Sequence, residues 1–186
     1  MFEKLLARKP DPESEAADAL YRAIVAQARE PAFYREGGVP DSLDGRFELV
    51  ILHTALVMRR LKAEGPAAAD LSQELFDVLF RNMDENLREM GVGDMGVGKR
   101  IKKMVEAFYG RLSAYEAGLE GAGEGLEAAL GRNLLGTVES SEAQRTALAR
   151  YVEACDRALR GQALSALRAG EPAFPVFPTE VEAGGE

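Results

Sequence analysis

The apolar run Leu49 to Met58, LVILHTALVM, constrains this chain more than any other stretch. It is about half the length of a membrane-spanning helix, which needs about 20 apolar residues. At helical spacing, Phe47, Val50, Ile51, Val57, Met58 and Leu61 fall on one side and Leu49, Leu52 and Leu56 on another. A helix apolar on nearly all sides sits at the centre of its domain, and its neighbours must cover it with apolar faces of their own.

The flanking segments supply those faces. Leu20, Ile24 and Val25 mark a helix over 16–30 that Pro31 stops. PAFYREGGVPDSLDG reads as an ordered loop, and Ser42 or Asp44 caps the central helix, about 43–63. Leu75, Phe76, Leu79, Phe80, Met83, Leu87 and Met90 form the stripe of a helix over 69–90. Ile101, Met104, Val105, Phe108, Leu112 and Tyr115 do the same over 97–118. A short helix near 123–132 and a long one over 141–168 complete the pattern, with Leu148, Tyr151, Val152, Cys155 and Leu159 inward. No stretch alternates as a strand would. The expectation is all-α: a single compact domain of about six helices over 16–170, an N-terminal arm over 1–15, and an acidic, proline-containing tail over 171–186, extended or disordered.

Composition narrows the chemistry. With 186 residues and 46% hydrophobic content, the chain can bury a full core. One cysteine and one histidine exclude a disulfide framework and a zinc site built from Cys and His alone. The start, MFEKLLARKPDPESEAAD, lacks the apolar core of an export signal, so a reducing cytoplasm is the expected location. The net charge of −8 argues against a nucleic-acid coat and against sequence-specific DNA binding.

No catalytic group, metal site or cofactor emerges. Gly91 to Gly96 matches G-x-G-x-x-G, but it follows a helix where a dinucleotide fingerprint follows a strand. Gly93 to Lys99 matches G-x-x-x-x-G-K, but Arg100 stands where a phosphate loop needs Ser or Thr. The glycines fit a tight interhelical turn, although a helix start followed by Lys99 could also hold an anion. His53 lies among Leu49, Val50, Leu56 and Val57, the surroundings of a core histidine, and a haem reading lacks a second ligand. Cys155 reads as an inert small hydrophobe. Asp84, Glu85 and Glu89 lack the histidines a di-metal bundle requires and pair more naturally with Arg81 and Arg88.

The sharpest local anomaly is basic. Three of the six lysines fall between Lys99 and Lys103, beside Arg100. The charge is uneven along the chain: residues 112–186 carry −6 and residues 1–111 only −2. A solvated helix face and a docking patch for an anionic partner both fit.

The stretches LDGRFELVILHTALVMRRLK (43–62) and LFRNMDENLREMGVGDMGVGKRIKKMVEAFYGRL (79–112), with FYREGGVPDSLDG before them, resemble the ubiquinol-cytochrome c chaperone family over about residues 18–118. The resemblance rests on Asp84, Arg88, Glu89, Gly91, Val92, Gly93, Asp94, Lys99, Lys102, Phe108, Tyr109 and Gly110. It implies a non-enzymatic assembly factor for the cytochrome bc complex (complex III) that binds newly made cytochrome b. It also implies a ribosome or second assembly factor as further partners, and peripheral contact at the inner face of the membrane. The surface expected to bind partners comprises Arg59, Arg60, Arg88, Asp94, Lys99, Arg100, Lys102, Lys103, Tyr109 and Arg111, with Asp84, Glu89, Gly91, Val92 and Gly93 forming the signature loop. The competing expectation is a carrier or enzyme for an isoprenoid, quinone-like or anionic ligand, in a cavity lined by Phe33, Tyr34, Phe76, Phe80, Phe108 and Tyr109.

Overall fold

A computed structural model describes residues 11–136 and 138–178. Among them are eight α-helices and no strand. Helix α1 spans Pro12–Ala28, α2 Ala32–Arg35, α3 Leu43–Ala63, α4 Ala69–Glu89, α5 Asp94–Leu119, α6 Leu126–Leu130, α7 Glu142–Arg160 and α8 Leu164–Arg168. A 3-10 turn, Gly65–Ala68, leads into α4, and a π turn, Gly131–Leu135, follows α6.

The central-helix expectation holds residue by residue: every position from Ile51 to Val57 is buried. Helix α3 meets α1, α4, α5 and α7. Ser42 starts it by accepting the Gly45 amide at 3.1 Å. Glycine is required at 45, because a Cβ there would lie 2.0 Å from the Pro40 carbonyl oxygen.

Several boundaries differ from the sequence expectation. Helix α1 begins at Pro12 rather than at Ala16, because Asp11 accepts the Glu13 amide and proline is pre-set for a first helical turn. The expected helix over 141–168 is two. Ser141 and Gln144 cap α7 reciprocally, α7 ends at Arg160, and α8 starts after a turn through Gly161 and Gln162. The expected helix near 123–132 is α6 plus the π turn.

Residues 171–178 are extended and packed. Gln162 fastens them by donating to the Glu171 carbonyl and accepting the Ala173 amide at 2.9 Å. The Phe177 ring is only 2% exposed and lies 5.0 Å from Phe33 and 5.4 Å from Tyr151. Burying such a ring contributes about 2–3 kcal/mol. The tail expected beyond 178 and the arm before residue 11 lie outside the described residues.

Beside the main core, Ile51, Leu79, Phe80, Met83 and Phe108 form a smaller cluster between α3, α4 and α5. Of α5, only Val97, Phe108 and Tyr115 are fully buried, so most of its circumference faces outward.

Candidate functional site

The hairpin of α4 and α5 is closed by the residues of the expected signature loop. Gly91, at φ +81°, adopts the left-handed conformation that ends α4. Its amide donates to the Arg88 carbonyl at 2.9 Å, and the Val92 amide to the Leu87 carbonyl at 3.0 Å, a Schellman closure. The Gly93 carbonyl then accepts the Gly96 amide at 2.8 Å and opens α5. Arg88 clasps the turn by pairing with Asp84 on α4 and Asp94 on α5. Glu89 is exposed beside it. These glycines shape a turn between two helices, which explains why the nucleotide-binding letter patterns occur here without a strand.

The clasp holds an unusual surface. Lys99, Arg100, Lys102 and Lys103 are all exposed on α5, and none forms an ion pair among the described residues. At 3.6 residues per turn, Met95, Lys99, Lys102 and Tyr109 share one side, together with Glu106. Met95 is 93% exposed and Met90, across the turn, 63%. The Tyr109 ring is 52% exposed and lies over Phe76, with centroids 5.8 Å apart. Next to it, Met58, Leu61, Ala68, Phe76 and Tyr109 line an open groove of about 390 Å³, with Lys62 on its rim. Cations, an exposed methionine and an aromatic ring therefore lie on one helix, with a second exposed methionine at the end of α4.

Three other basic residues expected on this surface serve the fold. Arg59 reaches from α3 to Asp156 on α7 at 3.2 Å and to Glu120 just past α5 at 3.0 Å. Arg60 is buried; its guanidinium donates to the Leu159 and Gln162 carbonyls at 2.7 and 2.8 Å, capping the negative end of α7. Arg111 grips Glu48 with two parallel bonds of 2.6 and 2.5 Å. Burial pushes the Glu48 carboxyl above its ordinary range, and Arg111 draws it back down. These contacts join residues 61 or more positions apart, and no local pattern in the sequence announces them.

The aromatic residues expected to line one cavity belong to two separate groups. Phe33 packs with His53, Tyr151 and Phe177, whereas Phe76, Phe80, Phe108 and Tyr109 pack on one another. His53 is fully enclosed in the first group. Its Nδ1 lies 2.7 Å from the Leu49 carbonyl and its Nε2 2.8 Å from the Tyr151 hydroxyl, which in turn accepts from Gln27 at 3.0 Å. Burial lowers its pKa to about 4, so the ring is neutral: Nδ1–H donates to Leu49 and Nε2 accepts from Tyr151. Cys155 is buried, and burial pushes its thiol up to about 12, far from a reactive thiolate. The two phenylalanines of PAFPVFP are the one sequence signal for the contacts that complete this group, since Phe174 also meets His53 edge to face, with centroids 5.0 Å apart.

Among the described residues, no helix is long and apolar enough to cross a membrane. No group of three or more His, Cys, Asp or Glu residues among them could hold a metal ion.

Comparison with known proteins agrees with the resemblance seen in the sequence. The Xenopus laevis ubiquinol-cytochrome-c reductase complex assembly factor 1 is 27% identical over 120 residues, covering 64% of this chain and 60% of the frog protein. The mouse and human proteins of that description are 25% and 26% identical, covering 74% and 63% of this chain and 46% and 39% of their own lengths. The chain thus spans 39% to 60% of the length of these relatives. The crystal structure of the Cbp3 homolog from Brucella abortus superposes with a TM-score of 0.78 at 38% identity, covering 98% of this chain and 99% of that one. Residues 35–174 match the family described as Ubiquinol-cytochrome C chaperone, a span that runs from the end of α2 through α8 into the extended segment. That match takes in most of this chain and all of the α4–α5 hairpin, and the chain belongs to the ubiquinol-cytochrome c chaperone family.

Proposed function

We propose that this protein is an assembly factor for the cytochrome bc complex, working without catalysis at the cytoplasmic face of the membrane. Its α5 face holds newly made cytochrome b. The observation that carries the reading is the group of four exposed, unpaired cations on α5 beside Met90, Met95 and Tyr109, in a chain whose net charge is −8. Lys99, Arg100, Lys102 and Lys103 steer and orient an anionic segment of the client. Exposed methionines give an adaptable apolar contact, suited to a client that has not reached its final packing. The Tyr109 groove offers a place for an apolar side chain of the same segment. A ribosome or a second assembly factor is a further partner in this reading, and peripheral membrane contact follows from the client's location.

The test is the triple substitution Lys99→Glu, Lys102→Glu and Lys103→Glu, expressed in place of the native chain. All three positions are exposed and unpaired, so the expected result is native helix content, loss of assembled cytochrome bc complex and reduced cytochrome b. Normal levels of assembled complex in a stably folded triple variant would refute the assignment of the α5 face.

A further inference from the structure

We propose that the cleft between α1 and α4 is a second docking site, built for an acidic helical segment of a protein partner. The cleft has a volume of about 520 Å³, and Tyr21, Arg22, Val25 and Arg29 line it from α1, with Val78 and Asn82 from α4. Arg22 and Arg29 are exposed and form no ion pair among the described residues. Both arginines line this one cleft, seven residues apart on α1, and Asp18 is the one carboxylate among its lining residues.

Spacing defines the ligand. Seven residues of helix place the two guanidiniums roughly 10 Å apart along the axis and on the same side. Two carboxylates two turns apart on a partner helix match them, each able to form a bidentate pair. Between them, the half-buried Val25 and Tyr21 side chains offer apolar surface to one aliphatic side chain, over the buried Val78. Asp18 closes the α1 N-terminal end of the cleft, where it favours a cation on the partner and disfavours a uniformly anionic surface such as a bilayer or a phosphate backbone. None of Lys99, Arg100, Lys102 and Lys103 lines this cleft, so the site is separate from the α5 face.

The experiment uses the full chain and a fluorescein-labelled helical peptide whose lysine, two glutamates and leucine mirror Asp18, Arg22, Arg29 and Val25. Fluorescence anisotropy should show saturable, salt-sensitive binding. The pair Arg22→Glu and Arg29→Glu should weaken it at least tenfold, while Lys99→Glu, Lys102→Glu and Lys103→Glu leave it unchanged. If the glutamate pair fails to fold, Arg22→Gln with Arg29→Gln replaces it and should weaken binding about tenfold. Equal binding of a scrambled peptide, no saturation, or loss on the α5 substitutions would overturn the proposal. So would displacement of the peptide by inorganic phosphate, or by phosphatidylglycerol vesicles that require the same arginines.

Discussion

Lowering the pH from 7.5 to 5.5 perturbs one identifiable group, because His53 is the only histidine. Its ring is fully buried between the Leu49 carbonyl and the Tyr151 hydroxyl, and its pKa falls from the ordinary 6.5 to about 4. Between those values the unfolded chain binds a proton that the folded chain refuses. His53 therefore contributes its full stability above pH 6.5, and that contribution fades as the pH drops through 6.5 towards 4. At 1.36 kcal/mol per unit, the whole displacement is worth about 3 kcal/mol, of which about 1.4 kcal/mol is lost by pH 5.5. Glu48 works in the opposite direction: burial raises its carboxyl, so it adds stability as the pH falls towards the carboxylate range. The measurement is therefore a difference. Urea unfolding followed by far-UV circular dichroism, at both pH values, is compared between the native chain and His53→Gln, which keeps a polar group in the cavity but cannot titrate. The native chain should lose about 1 kcal/mol more than the variant over this interval. Equal losses would mean that the buried ring is not what titrates, and the neutral tautomer assigned to it would be wrong.

Two further substitutions test the packing and the turn. Phe177→Ala should cost about 3 kcal/mol in thermal or urea unfolding, because the ring is buried against Phe33 and Tyr151; a change below 1 kcal/mol would show that residues 171–178 are not part of the cooperative unit. At the hairpin, Gly91→Ala should destabilise by about 1 kcal/mol through its positive φ, whereas Gly98→Ala, in open space within α5, should stabilise by about 0.5–1 kcal/mol. Similar effects at the two positions would refute the roles assigned to them.

What was legible in the sequence is local and periodic. Apolar spacing placed α3 at the centre because a helix apolar on every side has only one place to go, and it located α4 and α5 because their stripes are clean. The α4–α5 turn was legible because Gly91 follows a helix directly. The start of α1 was missed because the apolar pattern begins at Ala16, whereas the helix begins with the Asp11 cap and Pro12. The anchoring of residues 171–178 was hidden by their prolines: composition reports chain stiffness and charge, but not that Phe174 and Phe177 find His53 and Phe33. Arg59, Arg60 and Arg111 read as candidate surface cations because their partners, Asp156, Leu159 and Glu48, are distant in sequence.

That last separation explains how a chain of net charge −8 can present a basic face at all. Arginines that join helices are held by carboxylates or by the carbonyls at the end of α7, so their charge is engaged within the fold. The lysines on α5 face outward because this helix is secured from one side only, by Val97, Phe108 and Tyr115 and by the Arg88 clasp at its start. Nothing in the packing needs the outer side of α5, and that side is free to carry residues the fold does not use. Exposed methionines and unpaired lysines there cost the domain little stability, since surface positions away from caps and cores contribute only tenths of a kcal/mol, about 0.5 at most. The α4–α5 hairpin thus lets its outward side chains change without disturbing the core that positions them, as the proposed role in recognising an unfinished protein requires.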